Sequence, residues 1–410
     1  MGNVAVTETM AETATLVLRF ADVGVATYVS LRVVGEPART VTWVLEEAAL
    51  KVAVDELSGA LPDPIDDETR RDALERAITE GAFGSPATEF TIARTLGSHL
   101  LVPEAWQLLT DRVSTPRACL FVSPSARLAR VPWGLLAMPD DDGRRLIDLV
   151  DVLMAAPPNI VHSPREPAGW GGRKTNPPLL VLDPRVPGQR PDSPLGSVLG
   201  RPSPDTPLAR HFAEVMQRRD VLPDVAASVE LFRRSDADRD WLKELLAQAP
   251  SRLLYVGHAT AADGDVGHAD RAALHLADEQ PLTASDLMTL KLPMPPRVGL
   301  LACASGGDYR FDEATGLVAA MILGGAEVVT ATLWSLPTAA GYRLFAQESA
   351  DADPMSEAIL AVDDAHEAPD AGRAVNDWQR KQLRRWSDGD LTASPLYWAA
   401  LATFAVDGAR

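Results

Sequence analysis

Four short apolar runs, each ending on small or polar side chains, constrain this chain more than anything else in it. They are Leu179-Leu180-Val181-Leu182-Asp183, Leu253-Leu254-Tyr255-Val256-Gly257-His258, Val298-Gly299-Leu300-Leu301-Ala302-Cys303 and Val328-Val329-Thr330-Ala331-Thr332-Leu333. Strands covered on both faces read as continuous apolar stretches of this length, whereas strands with one wet face alternate. Helical patterns at Leu208–Arg219 and Asp238–Ala247 separate some of the runs. That rhythm predicts an α/β protein with a mainly parallel sheet flanked by helices. In such sheets the residues just past the carboxyl ends of the strands stand in the crevice where ligands bind. His258 and Cys303 both occupy that kind of position.

A thiol beside a base that can take its proton is the minimum apparatus for covalent acyl transfer. Of the seven histidines only His258 directly follows a buried-strand pattern, and its neighbours Gly257 and Ala259 are small enough to let a substrate backbone approach. The other cysteine, Cys119, lies inside the apolar run Ala118-Cys119-Leu120-Phe121-Val122, where a thiol behaves as a small buried hydrophobe. Metal chemistry is not indicated, because no paired-cysteine motif exists and His268 and His275 have no cysteine nearby. No P-loop and no Gly-x-Ser-x-Gly elbow is present, and the residues call for no cofactor. Asp308, Asp312 and Glu313 follow Cys303 closely; a carboxylate there, partly desolvated, would select Arg or Lys before the scissile bond.

The 410 residues carry 39 basic and 57 acidic side chains, a formal charge of −18. That balance opposes nucleic acid and anionic membrane surfaces as partners. Two cysteines exclude a disulfide framework and suit a reduced, cytoplasmic setting, and the first residues lack the basic start of a secretory signal. Gly316 to Leu336 is almost wholly apolar, but Glu327 interrupts it beside Gly324-Gly325, which predicts a buried helix, a glycine turn and a strand rather than a membrane span. Toward the N-terminus, Thr13 to Leu45 alternates with period two, as antiparallel strands do, and helical patterns follow at 68–78 and 90–101. Two Pro/Gly-rich stretches, 166–178 and 186–207, read as loops, the second long enough to be mobile.

Taken in order, these motifs resemble a known family. Leu254-Tyr255-Val256-Gly257-His258-Ala259, Ala273-Leu274-His275-Leu276, Pro281-Leu282-Thr283-Ala284-Ser285-Asp286-Leu287 and Leu300-Leu301-Ala302-Cys303-Ala304-Ser305-Gly306 look like the core of a CHAT-domain cysteine peptidase of the caspase-like clan. The likeness extends to Val131-Pro132-Trp133-Gly134 upstream and to Gly324-Gly325-Ala326-Glu327, Thr332-Leu333-Trp334-Ser335-Leu336 and Pro395-Leu396-Tyr397-Trp398 downstream. It implies a strand-and-helix region over 1–115 and a caspase-like peptidase domain over 116–410, the family likeness starting near residue 96. It further implies His258 as general base, Cys303 as nucleophile, an oxyanion hole from the backbone N–H groups of Ala259 and Cys303, and a cleft edge at Trp334, Ser335 and Leu336 that pairs with an extended substrate. The implied activity is cleavage of a protein partner, encoded nearby, in bacterial defence or programmed death, with an activating protein partner. A catalytically silent caspase-like scaffold is the alternative of a different class.

Overall fold

The computed structural model describes residues 13–406 except 115, 140–142, 165, 168, 191–192, 194, 261–268, 303–315 and 347–351. Its centre is a ten-stranded sheet in the order β3-β2-β1-β4-β5-β13-β12-β11-β7-β6. These strands are β1 (Thr15–Asp22), β2 (Ala26–Val33), β3 (Glu36–Glu46), β4 (Cys119–Ser123), β5 (Asp151–Ala155), β6 (Leu179–Leu182), β7 (Arg252–Val256), β11 (Arg297–Leu301), β12 (Val328–Thr332) and β13 (Leu401–Ala405). A second sheet holds three two-residue strands, β8 (Ala259–Thr260), β9 (Ala273–Leu274) and β10 (Leu282–Thr283).

The burial of each strand follows its residue pattern. Every residue of β6, β7, β11, β12 and β13 is buried, as expected of sheet covered on both faces. β1 and β2 bury alternate residues, so one face of the N-terminal meander is wet, which the period-two alternation predicts. β6, β7, β11 and β12 run parallel to one another, and β13, β5, β4 and β1 form a second parallel set. The two sets meet antiparallel where β12 pairs with β13. Their carboxyl ends therefore lie at opposite edges of the sheet. Because β1 pairs in parallel with β4, the sheet runs unbroken across the boundary read near residue 115.

The apolar stretch 316–336 folds as expected, into the helix Leu317–Leu323, a turn at Gly324-Gly325, and β12. A Cβ on Gly324 would come within 2.7 Å of the Leu292 carbonyl oxygen, so the turn requires a residue without a side chain. Among the described residues no helix is long and apolar enough to cross a membrane. The helix starting at residue 70 takes Thr69 as its N-cap, with a capping box to Asp72, while Glu68 turns away to pair with Arg76 at 2.8 Å.

Candidate active site

β7 and β11 deliver the candidate chemistry to one edge. Their parallel register sets Val256 beside Leu301, and the Gly257 N–H donates to the Leu301 carbonyl at 3.3 Å. His258 lies two residues past the end of β7; Cys303 follows the end of β11 by the same count, and its own position falls outside the described residues. The chain leading to it is fixed by β12, whose Thr332 hydroxyl donates to the carbonyl of buried Ala302.

His258 is half-buried, with Nε2 3.2 Å from the Gly196 carbonyl oxygen. A carbonyl has no hydrogen to give, so that contact assigns the proton to Nε2 and leaves the Nδ1 lone pair as the ring's acceptor. Burial is the main influence on its pKa and pushes it below the usual value; Gly196 and the Asp183 carboxylate pull upward, Arg233 and Arg70 downward. The imidazole is thus held neutral near pH 7, the state a general base needs. Gly257, just before it, is also small for an internal reason. A Cβ there would lie 2.9 Å from the Tyr255 hydroxyl oxygen and 3.3 Å from Pro184. That hydroxyl sits 2.7 Å from the His258 carbonyl and 2.9 Å from that of His275, its one proton shared between the two acceptors, and clamps the histidine's backbone.

The turn that follows Gly196 is held by Asp183, the residue after β6. Asp183 adopts a left-handed backbone (φ 52°), which Asp tolerates better than most residues, and its side chain is wholly buried. Its carboxylate accepts from the Ser197 hydroxyl at 2.6 Å, the Val198 and Leu199 N–H groups at 3.2 and 3.3 Å, and Arg233 at 3.3 Å. Arg233 also donates to Gly196 O at 2.8 Å. The stretch 186–207, read as a mobile loop, is therefore anchored around 196–199. Asp183, Gly196 and Arg233 went unrecognised as site residues in the sequence. The available signal was an Asp directly past a buried strand, the same position that drew attention to His258. His275 joins the cluster through its N–H to the His258 carbonyl (3.0 Å) and Nε2 to the Thr260 hydroxyl (2.6 Å); burial first, then His258, lowers its pKa.

Against this geometry, a model of the CHAT domain family matches residues 91–408. The chain belongs to the CHAT domain family. Among solved structures it is similar to the separase–securin complex of Saccharomyces cerevisiae, at 2.6 and at 3.0 Å resolution, with 12% identity and a TM-score of 0.43 in each case. The match covers 96% of this chain and 30% of that one, so the CHAT chain spans less than a third of the length of the protein it aligns with. No curated protein matches it.

The remaining predicted positions divide clearly. Ala259 is buried in β8, paired with Leu274. Trp334 is entirely buried, its indole N–H donating to the Leu396 carbonyl at 2.9 Å and its ring stacked on Phe83 at 6.0 Å, so it braces the domain from inside and offers no surface to a substrate. Ser335 and Leu336, next along the chain, are half-buried and are the part of that predicted edge with exposed surface. Asp308, Asp312 and Glu313 lie outside the described residues. Cys119 packs in β4 with Leu153 and Ala405, far from solvent. Among the described residues the ligand atoms of His211, Asp363 and Asp364 come within 4.8 Å of one another. Asp363 lies between His211 Nε2 (2.8 Å) and Arg252 Nη1 (2.9 Å), within ion-pair distance of both.

Proposed function

We propose that this CHAT domain is a cysteine endopeptidase acting on a protein substrate, with Cys303 as nucleophile and His258 as base. The observation that carries the reading is His258 with its Nε2 committed to the Gly196 carbonyl, which leaves Nδ1 as the acceptor, two residues past a strand that pairs in register with the one leading to Cys303. In the proposed reaction Nδ1 takes the thiol proton and the thiolate sulfur bonds to the scissile carbonyl carbon. The tetrahedral oxyanion then collapses, the C–N bond breaks, and the leaving amine takes the proton back from the imidazole. Water, deprotonated by the same ring, hydrolyses the thioester and restores the thiol. Backbone N–H groups at Ala259 and Cys303 are the proposed oxyanion donors. An activating partner and a role in defence are finer expectations of the same reading.

The test uses the full chain. Rapid stoichiometric alkylation of Cys303 by iodoacetamide at neutral pH, slowed in His258→Ala, and cleavage of a peptide library by the native protein but not by Cys303→Ala, are the expected results. A Cys303 that alkylates at the rate of free cysteine with and without His258 would overturn the dyad. Since burial holds the His258 pKa down, the acid limb of the pH–rate profile should lie below about 6.5, the unperturbed histidine value.

A further inference from the structure

Beside the Asp183–Gly196 anchor opens a cavity of about 750 Å³ whose charged lining, among the described residues, is basic: Arg185, Arg201, Arg233 and Arg343, with Gln189 and Thr338 among the neutral groups between them. This is unexpected in a chain of net charge −18. Arg233 is, among the described residues, the member with a carboxylate at hand, buried Asp183. Among the described residues no acidic group lies within ion-pair distance of Arg185, Arg201 or Arg343; Arg343 reaches only the Ala352 carbonyl, at 3.5 Å. The four arginines come from three separate parts of the fold: Arg185 and Arg201 from the connection after Asp183, Arg233 from the residue after Phe232, and Arg343 from the helix Ala339–Phe345. Independent segments converging with one sign of charge repel one another unless a counter-charge arrives, and planar guanidinium groups bind carboxylates in two-point fashion.

The cavity is linked to the candidate site through Arg233, which lines it and donates at 2.8 Å to the Gly196 carbonyl that holds His258 Nε2. We infer that this cavity is a specificity pocket for acidic side chains, Asp or Glu, in the substrate segment flanking the scissile bond. The inference rests on the peptidase reading for its biological use but not for its test. It has the opposite sign to the selection for Arg or Lys read from Asp308, Asp312 and Glu313, which lie outside the described residues.

The experiment is equilibrium binding of fluorescein-labelled positional peptide pools to the full-length Cys303→Ala chain, by anisotropy at about 50 mM salt, where surface charge is weakly screened. Pools fixed with Asp or Glu should bind about tenfold more tightly than the same pools carrying Asn or Gln, as a charge-assisted contact implies. Arg185→Glu with Arg343→Glu, both at exposed positions, should erase that preference or turn it toward Lys and Arg. Equal binding of acidic and amide pools overturns the inference, as does an acidic preference that survives the double charge reversal. Cys303 alkylation in the native chain separates the two ideas. Failure there removes the peptidase reading and leaves the charge preference standing, whereas cleavage without acidic preference does the reverse.

Discussion

The two parallel halves of the sheet share an architecture and use their polar residues in opposite ways. In the half built from β6, β7, β11 and β12, the carboxyl edge carries Asp183, His258 and the chain entering Cys303, and the imidazole keeps a lone pair for chemistry. In the half built from β1, β4, β5 and β13, the prominent buried polar residue is Asp151, at the amino end of β5. Its two carboxylate oxygens are taken by Arg373 Nε at 2.7 Å and Arg380 Nη2 at 2.5 Å, and Arg380 also donates to the Ile147 and Val150 carbonyls. Buried polarity at Asp151 therefore ends in ion pairs that fix packing, as it does at the amino end of β7, where Arg252 pairs with Asp363 at 2.9 Å. At the carboxyl edge of β6 and β7 it organises a group left able to accept a proton. Position relative to the strand, more than burial alone, separates the two roles.

The strongest attack on this contrast is substitution at each edge. His258→Ala should lower peptide cleavage by about 10²–10⁴-fold, and Cys303→Ala to the background rate, each with a thermal midpoint close to that of the native chain. A matching loss of midpoint would mean that the His258 edge is structural too. Asp151→Ala should do the converse. It strands Arg380, which is almost fully buried, and breaking a buried pair by removing one partner typically costs about 3–5 kcal/mol. Urea unfolding would measure the loss, and kcat/KM of the fraction still folded at low temperature should be unchanged.

The same contrast explains what the sequence made legible. β6, β7, β11 and β12 are visible because residues such as Leu253-Leu254-Tyr255-Val256 must be apolar to lie in buried sheet, and β1 and β2 because alternation reports one wet face. β5 was passed over because it opens on Asp151, a residue that reads as a loop until Arg373 and Arg380 are seen around it. The helix Ala371–Ser387, which supplies both arginines, was missed for a related reason. Its buried face includes Asn376, Gln379, Arg380 and Gln382, which interrupt the apolar stripe of Val375, Leu383 and Trp386 by which a helix is recognised. At the site, His258 was legible from its place after a strand. Gly196 and Arg233 were not, since they meet His258 and Asp183 only through tertiary hydrogen bonds between residues tens of positions apart.

The seam between the halves gives a smaller and pH-dependent effect. At the β12–β13 junction Thr330 Oγ1 lies 2.8 Å from His366 Nε2 and 3.0 Å from Thr403 Oγ1, all buried. Burial, reinforced by Arg252 and Arg297 and opposed by Asp363, pushes the His366 pKa down to about 3. A histidine whose folded pKa is below its unfolded one takes up a proton on unfolding. Its contribution is therefore complete above about pH 6.5 and is lost as pH falls from there toward 3, amounting to about 2 kcal/mol by pH 5. Urea unfolding at pH 7.5 and pH 5 should show the native chain losing about that much more stability on acidification than His366→Gln. Equal losses would remove His366 from the seam's energetics.

The smallest expected effect falls on the thiol in the saturated half. Cys119 is buried in β4 against Leu153 and Ala405, with Phe121 partly covering the group. It lies within a strand rather than beyond its end and is buried, so it has no crevice in which to meet a substrate. Cys119→Ala removes one heavy atom from that contact and should cost about 1 kcal/mol of stability, the scale of a buried methylene-sized group. Kcat/KM should not change, and iodoacetamide should label the native chain once, at Cys303, with Cys119 reacting only after urea is added. A drop in cleavage by Cys119→Ala without a drop in stability would place a working thiol in both halves, and the division of labour between the two edges of the sheet would have to be abandoned.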